Sequence, residues 1–181
     1  MKNDIATLAS GCFWCTEAIF KRLKGVTSVM SGYTGGTGEN PTYEQVCSGK
    51  TGHAEAIQVT FDPTIISYKK LLEIFFHLHN PTTLNQQGAD TGTQYRSAIF
   101  YHTTEQKLIA EEVQQTLEQS GAFKDKIVTE ITPYTNFYKA ENYHQEYYEK
   151  NKQYPYCQLV IDPKLQKLLQ EFSQQVKEEY K

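Results

Sequence analysis

The feature that most constrains this chain is the stretch Leu8-Ala9-Ser10-Gly11-Cys12-Phe13-Trp14-Cys15-Thr16-Glu17. Before it, Ile5 to Ala9 is small and apolar enough for a buried strand, and after it Ala18, Ile19, Phe20 and Leu23 recur at helical spacing. Cys12 is therefore predicted where a strand hands over to a helix. There Gly11 permits a tight turn, and the free N–H groups and positive end of the helix dipole favour an anion. A thiolate is such an anion, and cysteines so placed have pKa values lowered to roughly 3.5–7.5. Most free cysteines are nevertheless small buried hydrophobes, so a nucleophile needs support from the rest of the chain.

With 181 residues and no Pro/Gly/Ser-rich linker, the chain is expected to form one catalytic domain over 1–181. The net charge is only −3 and the Lys and Arg residues are scattered, which argues against nucleic acid or an anionic membrane as partner. No apolar run of secretory length precedes Gly11 and none later approaches about 18 residues, so a cytoplasmic location is expected. In such a reducing compartment the four cysteines point to catalysis, redox exchange or metal binding rather than a disulfide framework. Only Cys12 and Cys15 are close in sequence.

Lys24 and Gly25 close the first helix, and a second strand is expected over Val26–Tyr33. Thr34 to Thr42 is glycine-dense and reads as a functional loop. No Lys-Ser/Thr follows its glycines, which disfavours a phosphate cradle. Tyr43 to Ser48 is a short segment whose Cys47 reads as structural. In a strand over Ala54–Phe61, Glu55 shares a face with Ile57, Val59 and Phe61. It either reaches water at the strand's start or is buried with a raised pKa, available as an acid. Ser67 caps a helix striped by Leu71, Leu72, Phe75 and Leu78. His77 and His79, two residues apart, do not share a helix face, so they read as surface or core-edge side chains rather than metal ligands. Thr82 to Tyr95 is a second long site loop. A strand over Ser97–His102 follows, then a helix from the Thr103/Gln106 capping box to Gly121, then a fifth strand over Ile127–Thr132. Cys157, after Tyr154-Pro155-Tyr156, is expected in an extended, mobile segment, with Pro163 opening a last helix. Two strand-helix-strand units with additions suit an α/β or α+β sandwich of the ferredoxin-like kind.

Seven motifs in order then need one explanation: Gly11-Cys12-Phe13-Trp14; Gly32-Tyr33-Thr34-Gly35-Gly36; Asn40-Pro41-Thr42-Tyr43; Thr51-Gly52-His53-Ala54-Glu55; Gly88-Ala89-Asp90; Gly92-Thr93-Gln94-Tyr95-Arg96-Ser97; and Glu141-Asn142-Tyr143-His144-Gln145. Together, from about Leu8 to Cys157, they resemble the A-type peptide methionine sulfoxide reductases. The resemblance implies an α+β, ferredoxin-like two-layer sandwich with additional helices and long loops. It also implies reduction of the S epimer of methionine sulfoxide, free or in a peptide, without cofactor or metal. By position it makes Cys12 the attacking thiolate, Phe13 and Trp14 the wall around the substrate methyl group, and Glu55 the acid. Tyr43 and Tyr95 become donors to the sulfoxide oxygen and Asp90 a supporting polar group. A recycling cysteine is implied near Cys157, with thioredoxin or a similar dithiol as reductant.

The chemistry fits independently, because a sulfoxide oxygen leaves only when protonated, so attack at sulfur needs a thiolate and a proton donor together. Cys12 is left as a sulfenic acid, which a second thiol converts to a disulfide. Cys15 stands where many members have glycine, which opens the identity of that second thiol. Cys157 is the preferred resolver, Cys15 the alternative, and a Cys12–Cys15 disulfide passed on to Cys157 a third route. Cys12-Phe13-Trp14-Cys15 also fits a thioredoxin-like dithiol oxidoreductase, which would act on disulfides and not on methionine sulfoxide. A zinc module is disfavoured because Cys47 and Cys157 each lack a close second cysteine. A non-catalytic aromatic peptide-binding module would keep binding after Cys12→Ser.

Overall fold

The sheet is laid out around β1 (Asp4–Ser10), whose Ala6 and Leu8 face one side and Thr7 and Ala9 the other, all four fully buried. The computed structural model describes residues 3–181. β1 pairs antiparallel with β3 (Ala54–Phe61) on one edge and with β6 (Ser97–Tyr101) on the other. β3 pairs antiparallel with β2 (Val26–Thr34), and β2 with β8 (Phe137–Lys139). β7 (Glu130–Pro133) runs parallel to β6, reached through the crossover helix α4 (Thr104–Ser120). The resulting six-stranded order is β7-β6-β1-β3-β2-β8. A separate ribbon pairs β4 (Gln86–Gln87) with β5 (Asp90–Thr91).

The two faces of the sheet are unequal. Ala6, Leu8, Ile57, Val59, Phe61 and Ile99 join Phe20 of α1 (Phe13–Lys21), Leu72 and Phe75 of α3 (Tyr68–His77), and Ala110 and Val113 of α4 in one buried cluster. The opposite face holds the small side chains Ala9, Ala54, Ala56 and Ala98 with Phe100, covered by Tyr134 and Phe137. The molecule is thus an α+β fold with its main core on the α1 side. Glu55 points into that core side, flanked along its strand by Ile57.

Several expectations are refined. Tyr43–Cys47 is a helix, α2, because Thr42 and Gln45 form a complete capping box. At α4, Thr103 accepts from the Gln106 N–H at 3.1 Å, but the Gln106 side chain takes the His102 N–H and donates to Ile5 O instead of closing the box. The fifth strand is shorter than Ile127–Thr132, since Val128 donates to Pro81 O outside the sheet. His79 is buried, bonded to Phe75 O at 2.6 Å and Ser97 Oγ at 2.7 Å, rather than at the surface.

The largest correction concerns Cys157. It is fully buried, not in an extended segment, within a π-turn over Cys157–Ile161 that runs directly into α6 (Asp162–Phe172). The helical run begins at Pro155, where a proline suits the first turn, and Pro163 lies inside it rather than at its start. The Asp162 N–H bonds five residues back to Cys157 O, and Pro163 has no N–H to restore the ordinary ladder. After α6 the chain returns to α1: Val176 is buried and bridges to Leu23, and Lys177 N donates to Arg22 O at 2.9 Å. The Arg22 guanidinium lies over Tyr148 and Tyr180 and pairs with Glu149 at 2.6 Å. α5 (Tyr147–Lys150) is tied to α1 by buried Glu17, which accepts the Glu146 N–H at 2.9 Å. Among the described residues no helix is long and apolar enough to cross a membrane.

Candidate active site

Gly11 has φ +91°, and a Cβ there would meet Gln87 Cβ at 2.6 Å, so the turn between β1 and α1 needs glycine twice over. Cys12 is the N-cap of α1, its carbonyl accepting from Cys15 N at 3.2 Å, its side chain 8% exposed. Cys15, 2% exposed, lies in the first helical turn beside it. Burial and the neighbouring Cys15 push the Cys12 thiol well above its ordinary value, so the helix N-terminus alone does not make it a resting thiolate as the sequence suggested. The hydrogen bond from Cys12 instead draws Cys15 down to about 7, with the Lys164 ammonium assisting against burial. When the pair loses its first proton, the remaining thiol proton on Cys12 is donated to the Cys15 anion.

The Glu55 carboxyl is 2% exposed and accepts the Phe13 N–H at 3.1 Å. Burial, helped by the charges of Asp90 and Cys15, raises it to about 8 in spite of that N–H, so it is largely protonated at neutral pH. Of the two sequence readings, frayed and wet or buried and acidic, the buried one is the observed placement. Burial also raises the Tyr43 and Tyr95 hydroxyls, which stay O–H donors; Tyr95 lies within electrostatic reach of Glu55, Cys12 and Asp90.

Aromatic side chains enclose these groups. Trp14 stacks on Tyr147 at 3.6 Å and 6°, meets Tyr156 edge-on at 5.6 Å, and donates its Nε1–H to His144 Nδ1 at 3.0 Å. Phe13 packs between Tyr33 and His144 at 5.8 and 5.0 Å. Asp90 accepts from the Tyr156 hydroxyl at 2.9 Å, and that oxygen is 3.8 Å from Cys15 Sγ. The fold thus brings Cys12, Cys15, Phe13, Trp14, Glu55, Asp90 and Tyr95 together, and Tyr43, its ring 4.6 Å from that of His144, lies within electrostatic reach of Glu55 and Tyr95.

Cys157 is fully buried, its thiol raised by burial and by the charges of Asp162 and Cys15. Cys47, read from the sequence as structural, is half-buried, its thiol raised by burial with the Tyr43 hydroxyl acting against that. Sequence reasoning missed Tyr33, Glu141, His144 and Tyr156 as individual contributors. The signal for three of them was present in the Gly32–Gly36 and Glu141–Gln145 motifs, whereas Tyr156 reads like any other tyrosine of an aromatic stretch. A cavity of about 500 Å³ lined by His77, Asn80, Thr82, Gln87 and Lys167 holds none of the reactive groups. Among the described residues no group of three His, Cys, Asp or Glu side chains could hold a metal ion.

The family profile described as peptide methionine sulfoxide reductase matches residues 4–177. The peptide methionine sulfoxide reductase MsrA of Sulfolobus acidocaldarius is 58% identical over 93% of this chain and 95% of its own. Among solved structures, reduced Mxr1 from Saccharomyces cerevisiae superposes with a TM-score of 0.79 at 37% identity, covering 86% of this chain and 90% of its own. Mxr1 in complex with Trx2 matches with a TM-score of 0.56 at 28% identity, covering 81% of this chain and 85% of its own.

Proposed function

This chain belongs to the peptide methionine sulfoxide reductase family, and on that premise we propose how its residues reduce the S epimer of methionine sulfoxide, free or in a peptide. The Cys12 thiolate attacks the sulfoxide sulfur while Glu55 gives its proton to the oxygen, with Tyr43 and Tyr95 donating to it. The S–S bond formed by that attack then cleaves as the protonated oxygen passes from the substrate sulfur to the Cys12 sulfur, so the substrate S–O bond breaks, methionine leaves reduced by two electrons, and Cys12 is left as a sulfenic acid. Phe13 and Trp14 wall the substrate methyl group, and Asp90 holds Tyr156 at their edge. The observation that carries this reading is Glu55, a carboxyl raised to about 8 that accepts the N–H of the residue next to Cys12.

Cys15 then attacks the Cys12 sulfur and expels water, leaving a Cys12–Cys15 disulfide. Cys157, whose thiol feels the Cys15 charge, attacks the Cys15 sulfur in turn, so that Cys12 returns to a thiol and a Cys15–Cys157 disulfide is left for an external dithiol. The Trx2 complex of the Saccharomyces cerevisiae relative supports thioredoxin as that reductant. Family membership disfavours the alternative of a dithiol oxidoreductase acting only on disulfides. A cycle that needs reduced thiols suits the cytoplasm. The alternating β6-β1-β3-β2 order supports a ferredoxin-like frame, and the continuous main core supports reading 1–181 as one catalytic domain.

The test is an epimer-resolved turnover assay with free-thiol counts after one equivalent of substrate. Cys12→Ser is expected to abolish reduction. Cys15→Ser should form the sulfenic acid once and stall, whereas Cys157→Ser should stop at the Cys12–Cys15 disulfide and recycle poorly with thioredoxin. Normal recycling in Cys15→Ser would remove Cys15 from the sequence of exchanges.

A further inference from the structure

α2 has only five residues, too few to hold its own direction in water. Its orientation therefore depends on what satisfies its first-turn N–H groups. Thr42 takes the Gln45 N–H at 3.3 Å, and the Tyr43 N–H goes to Glu141 Oε1 at 2.9 Å, across almost a hundred residues of sequence. The other oxygen of the same carboxylate, Oε2, accepts from the Tyr33 hydroxyl at 2.8 Å. Tyr33 is fully buried on β2, pairs in register with Glu55 on β3, and packs against Phe13. One half-buried carboxylate thus joins the strand pair that presents Glu55 to the helix that presents Tyr43.

We propose that Glu141 is a positioning residue for the reductase reaction, spanning Tyr33 and Tyr43 so that the Tyr43 hydroxyl is held on the sulfoxide oxygen while Glu55 protonates it. This rests on the reading of Tyr43 as a donor. Burial works against the Glu141 charge, yet its own N–H, the Tyr43 N–H and the Tyr33 hydroxyl together hold it below the ordinary carboxylate range. It is an acceptor at both oxygens at any pH where the enzyme would work. His144 adds to the same corner. Its Nδ1 accepts from Trp14, so its proton is on Nε2, 3.9 Å from Glu141 Oε2, too far for a hydrogen bond that would compete for the carboxylate.

Span and charge make opposite demands on substitutions. In Glu141→Gln the amide oxygen can accept the Tyr43 N–H and the amide nitrogen can donate to the Tyr33 oxygen, so the bridge survives without the charge. In Glu141→Asp the charge survives, but the side chain is one methylene too short to reach both partners. Glu141→Ala loses both. The experiment is single-turnover reduction of methionine sulfoxide, followed by loss of the Cys12 thiol, in these three variants, in Tyr43→Phe and in the Tyr43→Phe/Glu141→Ala double variant, with thermal melts alongside.

Positioning predicts a near-parental rate for Glu141→Gln. Glu141→Ala and Glu141→Asp should lose roughly 10- to 100-fold in the rate constant, the scale of an ångström-level misplacement, with half-saturation little changed. It also predicts that Glu141→Ala costs little more once Tyr43 is Phe. A slow Glu141→Gln with a parental Glu141→Asp would overturn the proposal in favour of charge. A lowered melting temperature with parental rates, or additive losses in the double variant, would overturn it in favour of plain stabilisation. A parental Tyr43→Phe would overturn the reading of Tyr43 and this proposal together, whereas a slow Tyr43→Phe with additive Glu141→Ala overturns the positioning role alone. Should Glu141→Ala fail to fold, the Asp and Gln variants still decide between span and charge.

Discussion

Glu55 is buried on a face where leucine or isoleucine would be more stable, and that misfit is what keeps its proton on at neutral pH. Its carboxyl is raised from 4.5 to about 8, so its contribution to stability is fully present below the ordinary value and is lost as pH rises through 8. Each pH unit in that window is worth about 1.4 kcal/mol. Glu55→Gln should therefore be more stable than the parent at pH 9 and nearly equal at pH 5, while reducing sulfoxide roughly 10²- to 10⁴-fold more slowly. Melting curves at the two pH values check the first half, and a variant less stable at pH 9 would show that the carboxylate is accommodated after all. The first-turnover rate of the parent should rise through about 7 as the Cys12/Cys15 pair loses a proton and fall through about 8 as Glu55 does. Cys15→Ala should move the rising limb upward, because the pair's low titration at Cys15 is lost and Cys12 alone has burial against it; stopped-flow rates between pH 5 and 10 report the shift.

At the scale of elements, what the sequence made legible was what local pattern controls. The β1-to-α1 junction follows from Gly11 and the change from alternating to helical spacing, and β3 with Glu55 on its core face follows from alternation alone. Tertiary context decided the rest. Tyr154-Pro155 reads as extended because proline restricts the residue before it, yet Pro155 itself suits the first turn of a helix, and packing against α1 draws the following residues into that helix. The same packing buries Cys157 while leaving Leu159 76% exposed two residues later. The Thr42/Gln45 box opens a helix too short to show a periodic stripe, and the glycines before it read as loop. The junction yields a sharp expectation: Gly11→Ala must adopt φ +91° and displace Gln87, costing of order 1–3 kcal/mol. Moving Gln87 moves the ribbon that carries Asp90, so first-turnover activity should fall further than the loss of folded protein explains. Urea titration paired with single-turnover rates separates the two, and wild-type behaviour in both would mean the turn is laxer than its geometry.

Across the whole molecule, the C-terminal residues are a strap over the end of α1. Val176 is buried and bridges to Leu23, Lys24 N donates to Gln175 O at 2.7 Å, and the Arg22 guanidinium lies over the Tyr180 ring while it pairs with Glu149. Burying the valine side chain alone is worth about 1.5–3 kcal/mol, and the strap adds backbone hydrogen bonds. Removing Ser173–Lys181 should lower the melting temperature by roughly 5–10 °C while leaving the turnover of the folded fraction near the parent's at low temperature. An unchanged melting temperature would make the strap a passive tail. The same molecule contains a single tryptophan, Trp14, and the fold seats it against Tyr147 with its indole N–H on His144, one turn or less from both Cys12 and Cys15. Indole emission is quenched by nearby thiolates and disulfides and shifts with the polarity around the ring. On the proposed mechanism the protein therefore carries an intrinsic optical probe beside its reacting thiols: deprotonation of the pair, arrival of the sulfoxide and closure of the disulfide are each expected to change the light from one residue, so that the cycle can be followed in real time without a label.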